Sequence, residues 1–241
     1  MRTFSAILAV ADISGYTRFV VMHRSSVAHA EQIISDLMET VTQHSEVPLK
    51  LQKLEGDAAF LVAEVTGPID EAVNDVMQQV VDFMAAFQDK KKQLFEKSVG
   101  GCACTACQSI EKLGLKTVIH RGEVLEKQMG GLTELAGEPV IVAHRLLKNS
   151  IEDDNYVLAT DELVSFLESE PYGSSQKLVE KIADVGSVNV TVYHPAGRQL
   201  DRHGVRPFTR PAACAEAIRL FAARAMAKIR GVKRTFQNLP A

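Results

Sequence analysis

Apolar and polar positions repeat with two different periods along this chain, and the switches between them mark out its elements. Phe4–Ala11 is an apolar run that stops at Asp12 and meets Ser14-Gly15, which predicts a buried strand entering a turn. Between about His23 and His44, Val27, Ile33, Ile34, Leu37, Met38 and Val41 fall at helical spacing. Leu49–Leu54 and Ala58–Val65 are short strand-like runs divided by Glu55-Gly56-Asp57, so a β-hairpin is predicted there. Ile69–Phe95 predicts a long helix whose stripe is Val73, Val76, Met77, Val80, Val81, Met84 and Phe87. Leu115–His120 and Glu123–Leu125 read as strand on either side of Arg121-Gly122, and Gly130-Gly131 as a flexible break. Val140–Leu147 fits strand or helix by composition, with Ala143, Leu146 and Leu147 favouring a helix after Pro139. Tyr156–Ala159 and Val188–Tyr193 predict strands, and Asp161–Leu167 a short helix that Thr160 can cap. The mixture predicts an α/β or α+β unit reaching to about Pro195, without internal repeats.

At 241 residues and 46% apolar composition the chain is long enough for a sizeable core. Its longest apolar runs fall well short of the roughly 18 residues that span a bilayer, and no leader pattern opens it. A soluble, cytoplasmic protein is expected. The net charge of −3 hides an asymmetry: residues 198–241 carry ten basic and two acidic side chains, a net +8, leaving −11 for residues 1–197. The expected organisation is a domain over 1–197 and a basic extension over 198–241. In that extension Ile218, Phe221, Ala222, Ala225, Met226 and Ile229 fall on one helical face after Pro211. Docking of this face onto the acidic domain is the favoured reading, and contact with an anionic membrane surface the second. Nucleic acid is not expected as a partner, because no aromatic residues alternate with the basic ones.

The candidate chemistry begins with carboxylates. Asp12 ends a buried strand and Asp57 sits in a hairpin turn between apolar strands, both costly places for a charge without a counter-charge. Should the hairpin lie beside the first strand, both carboxylates converge, and hard oxygen donors of this kind suit Mg²⁺ or Mn²⁺. Taken singly, each Asp reads as a turn or capping residue.

Four motifs then carry a resemblance. Asp12-Ile13-Ser14-Gly15-Tyr16-Thr17 is similar to the Asp-x-x-Gly-Phe-Thr strand end of the class III adenylyl/guanylyl cyclases. Lys53-Leu54-Glu55-Gly56-Asp57-Ala58 resembles their Lys-x-x-Gly-Asp-Ala hairpin, and Val118-Ile119-His120-Arg121-Gly122 their Gly-Ile-His-x-Gly strand. The run Glu134 to Arg145 resembles Asp-x-x-Gly-x-x-Val-Asn-x-Ala-x-Arg. The resemblance implies an α+β fold, a ferredoxin-like or palm-type antiparallel sheet flanked by helices, here with a C-terminal helical extension. It implies that Asp12, Asp57 and the backbone carbonyl of Ile13 hold a Mg²⁺ or Mn²⁺ pair. It further implies that Lys53, Glu134 and Gly56 receive a purine nucleoside triphosphate, with adenine favoured, and that Arg145 offsets charge on the phosphates. A homodimer is implied, with metals held by one chain and Arg145 supplied by the other. The activity implied is conversion of ATP to 3′,5′-cyclic AMP and pyrophosphate.

One position departs from the pattern: the family's transition-state Asn falls on Ile141, which has no hydrogen-bonding side chain. The alternative reading is a catalytically inactive cyclase-homology module that binds nucleotide or metal and acts through partner contacts. Val140-Ile141-Val142 also reads as plain core packing.

Cys102-Ala103-Cys104-Thr105-Ala106-Cys107 has no counterpart in those motifs and reads as part of an insertion over 98–112. Three readings stay open: a soft-metal site for Zn²⁺ or an iron–sulfur cluster, packed reduced thiols, and a redox disulfide. For a metal, the missing fourth ligand is expected from Cys214, His120 or a partner chain.

Overall fold

Strand β1 (Arg2–Ser14) is the centre of the molecule, and both its faces are covered. Ile7, Ala9, Ala11 and Ile13 point into one core, while Ala6, Leu8 and Val10 point into another. A strand buried on both sides reads as a continuous apolar run, as Phe4–Ala11 does. The computed structural model describes residues 1–22, 27–45, 47–101, 104–172 and 175–195. Cys102, Cys214 and the basic stretch 198–241, with its expected helix, lie outside the described residues.

The strands lie in the order β2 (Lys50–Glu55), β3 (Ala58–Glu64), β1, β4 (Gly114–Met129), β6 (Tyr156–Thr160), β8 (Gly186–Tyr193), β7 (Ser175–Ile182). Strand β5 (Leu132–Ala136) folds back on the far end of β4. Among the described residues, only the β4–β6 pair is parallel. Helices α1 (Tyr16–Met22), α2 (Val27–Gln43) and α3 (Ile69–Gly101) precede β4, and α5 (Glu138–Arg145) follows β5. Cores on the two sides of the sheet involve different helices: α2 and α3 bury their stripes with Ile7 and Ile13, whereas α5 sets Ala143 against Leu8 and Val142 against Val118. This is the α+β fold expected.

Several elements differ in detail from the expectation. Helix α3 continues past Phe95 to Gly101, and its stripe uses Phe83 where Val81, only half-buried, was expected. Each fully buried Phe here contributes about 1.5–3 kcal/mol. The segment around Arg121-Gly122 does not break the sheet, because β4 runs through it. A Cβ on Gly122 would stand 2.2 Å from Pro139 Cγ, so the glycine lets the first turn of α5 press onto the strand. Gly130-Gly131 forms the tight β4–β5 turn, both residues at positive φ. Strand β7, unforeseen, is an edge strand with most polar positions exposed, although Glu180 is buried and accepts a hydrogen bond from the Ser150 hydroxyl. Thr160 precedes α6 (Asp161–Val164) without capping it; its hydroxyl is paired with His120 Nδ1 at 2.8 Å instead.

Candidate functional site

The β1–β3–β4 register assembles the first cluster. Asp12 lies across from Ala58 on one side and from Lys116 on the other, and Ile13 N–H donates to the Asp57 carbonyl at 3.1 Å. The hairpin expected at Glu55-Gly56-Asp57 is therefore a neighbour of the first strand, with Gly56 at φ +68, a conformation open chiefly to glycine. Asp12 and Asp57 come close enough to repel. Burial, then the Asp12 charge, push the Asp57 carboxyl above the usual carboxylate range, and Lys116 only partly offsets this.

Lys116 is the residue the sequence reading missed. Its Nζ lies 2.9 Å from Asp12 Oδ2, both side chains largely buried, and 3.5 Å from the Leu147 carbonyl just past α5. Burial pulls the Lys116 ammonium down, but the bond to Asp12 and its charge outweigh it and raise the pKa. A lysine between the buried residues Leu115 and Thr117 was the available signal, since a partly buried lysine needs a partner.

A second cluster adjoins on β2. Lys53 Nζ contacts Glu55 at 2.9 Å and Glu134 of β5 at 3.5 Å. The bond to Glu55 raises the Lys53 pKa. Glu55 in turn meets His144 Nε2 at 3.0 Å, while His144 Nδ1 faces the Val140 carbonyl at 2.8 Å. Burial pushes the Glu55 carboxyl up, yet Lys53 and His144 outweigh it and hold it below its ordinary value. Lys53 and Glu134 are thus in contact, with Glu55 and His144 in the same cluster.

Arg145 is not drawn into either cluster. It is exposed at the end of α5, and among the described residues no ion pair ties it to Asp12 or Asp57. Ile141, one turn earlier on the same side of α5, is 52% exposed, which overturns its reading as core packing.

The cysteine segment lies elsewhere. Helix α4 (Thr105–Gln108) and a 3₁₀ turn (Ile110–Lys112) lead from α3 into β4, and Cys107 is buried in the core against α2 and α3. His29 of α2 meets it: Nδ1 lies 3.3 Å from Cys104 Sγ and 3.7 Å from Cys107 Sγ. His120, expected as a candidate fourth ligand, is outside this group and is engaged with Thr160. Nothing near Cys104 in sequence pointed to His29.

Residues 34–156 match the family described as protein of unknown function (DUF2652). The chain is also 31% identical over 156 residues to the uncharacterized protein Rv2561/Rv2562 of Mycobacterium tuberculosis, covering 65% of this chain and 70% of that protein. The chain belongs to the DUF2652 family. Among solved structures, this family member resembles a bacterial light-regulated adenylyl cyclase with TM-score 0.57 and 15% identity, over 79% of this chain. It spans about half of that protein, 51%. It also resembles the adenylyl cyclase CyaB from P. aeruginosa, with TM-score 0.58 and 12% identity, over 83% of this chain and 98% of that one. At such identities the likeness shows a shared fold, that of the class III cyclases. No helix among the described residues is long and apolar enough to cross a membrane.

Proposed function

We propose that this chain is a nucleotide cyclase-like domain that binds a purine nucleoside triphosphate, with ATP favoured, and closes it to the 3′,5′-cyclic monophosphate. The observation that carries this reading is the convergence of Asp12 and Asp57, with Lys53 beside Glu134 on the neighbouring strands. The donors at the first cluster, two carboxylates and the Ile13 carbonyl, are hard oxygens. Burial, then the Asp12 charge, push the Asp57 carboxyl upward, and it is the chemistry of these hard oxygen donors that fits Mg²⁺ or Mn²⁺. Bound there, such ions would lower the pKa of the ribose 3′-hydroxyl and offset phosphate charge.

The chain's own residues do the rest. Lys53 donates to, and Glu134 accepts from, the base edge, which suits adenine's paired acceptor and amino group. Lys116, released from Asp12, is a ready cation for a phosphate oxygen. Arg145, exposed and unengaged by either carboxylate, offers its planar guanidinium to the α-phosphate of a substrate held by a partner chain. The O3′–Pα bond forms as the bond from Pα to the bridging oxygen breaks, pyrophosphate leaves with that electron pair, and the hydroxyl proton passes to solvent.

The second reading is a module of the same fold that binds nucleotide without closing it. The exposure of Ile141 beside Arg145 favours it, because an apolar side chain stands where a hydrogen-bonding one would steady the transition state. One assay separates the two. Purified protein is incubated with ATP or GTP and Mg²⁺ or Mn²⁺, and cyclic nucleotide is measured against Asp57→Ala. Product from the parent alone is expected, and Ile141→Asn is expected to raise the rate by at least about tenfold. No product from the parent or Ile141→Asn above Asp57→Ala, with nucleotide still bound, would leave the binding module.

A further inference from the structure

His29 joins Cys104 and Cys107, which lie 75 and 78 residues further along the chain, in a donor set outside the carboxylate cluster. The ligand atoms all lie within 4.8 Å of each other. A tetrahedral Zn²⁺ with bonds of about 2.3 Å to sulfur and about 2.0 Å to nitrogen sets its sulfur and nitrogen ligands roughly 3.6 Å apart. The observed separations are 3.3 Å for Cys104 Sγ and 3.7 Å for Cys107 Sγ, both to Nδ1, with Cys107 Sγ also 3.6 Å from Nε2. Nδ1 is the nitrogen common to both sulfurs. A second observation points the same way. Cys107 N–H donates to Cys104 Sγ at 3.4 Å, folding Cys104-Thr105-Ala106-Cys107 into a turn that presents both sulfurs on one side. Neither cysteine is in a disulfide.

The geometry points to a Zn²⁺ site built by His29, Cys104 and Cys107, with the fourth position open to water or a further ligand; the site fastens α2 to the connection between α3 and β4. The nitrogen ligand separates zinc from an all-thiolate iron–sulfur cluster. The clasp stands next to the chain that ends at the carboxylates without touching them. Residue Gly15, which follows β1, packs against the Lys112 carbonyl of the same connection, at a distance of 3.2 Å from its would-be Cβ. Metal binding therefore orders the support of β1's end, and the site is independent of whether the protein closes a nucleotide.

The test uses the full chain purified without chelator. Elemental analysis is expected to give about one zinc per chain, and a chelator competitive for zinc should lower the Tm by about 5–10 °C, restored by added zinc. His29 is exposed, so His29→Gln tests the site without disturbing the core. Its zinc affinity should fall at least about tenfold, with unchanged circular dichroism. In the Co²⁺-substituted protein, Cys104→Ser should weaken the thiolate-to-metal charge-transfer band. Zinc below about 0.2 equivalents after reconstitution, an unchanged affinity in His29→Gln, or thiol titration showing a Cys104–Cys107 disulfide would each overturn the site.

Discussion

Asp57 and Tyr172 show how single buried groups can work against the fold. Burial, then the neighbouring Asp12, push the Asp57 carboxyl upward and so make its ionised form unfavourable in the fold. Tyr172 Oη is buried with no hydrogen-bond partner among the described residues, and burial, then Asp82, push its pKa to about 12. In the fold this phenol keeps its proton while the unfolded chain loses it near pH 10, so stability is present below pH 10 and falls as pH climbs towards 12. Tyr193, also pushed up to about 12, acts in the same direction. Tyr172→Phe is therefore expected to raise unfolding free energy by about 1 kcal/mol at pH 7, since it removes an unsatisfied group. It should also flatten, without abolishing, the alkaline loss. Urea titrations at pH 7 and between 10 and 12 check both, and an unchanged alkaline slope would contradict the assignment.

At the scale of elements, the link between β4 and α5 decides whether the two clusters share one side of the sheet. Pro139 rests on Gly122, and from that contact α5 carries His144 to Glu55 and brings the Leu147 carbonyl to Lys116. Gly122→Ala places a methyl on the Pro139 ring, and overpacking of this kind costs about 1–3 kcal/mol. Chemical denaturation should show that loss, together with nucleotide binding weakened by displacement of α5. Local sequence made some of these elements plain and others not. The long stripe of α3 and the apolar run of β1 were legible because each buries a periodic face. Strand β7 was not, because Ser175–Ile182 mixes charged and apolar residues and buries only Glu180 and Ile182. Thr160 was misread because a threonine before a helix is a common cap, whereas here a histidine 40 residues earlier claims its hydroxyl.

For the whole molecule, the proposed function predicts a site shared by two chains, with the carboxylates of one and Arg145 of the other. Leu54, Met129, Leu132 and Ile141 are all more than half exposed, large apolar side chains that a second copy would cover. Asp57→Ala and Arg145→Ala should each be inactive alone. Mixed in equal amounts they should recover about a quarter of parental activity, because half the dimers are mixed and each holds one intact site of two. Absence of recovery, with exchange of chains shown by sedimentation, would place the whole site within one chain.

The sequence by itself determined where the carboxylates stand, at a strand end and in a hairpin turn, and the order of the four motifs, because turns and strand ends are set by residues close to one another. It also determined that three cysteines share a short segment. Only the tertiary structure decided their company. Lys116 faces Asp12 through the register of β1 on β4, and His29 meets Cys104 and Cys107 across separations of 75 and 78 residues. Such meetings follow from how helices and strands bury their apolar faces against each other, a global packing solution that no local period encodes.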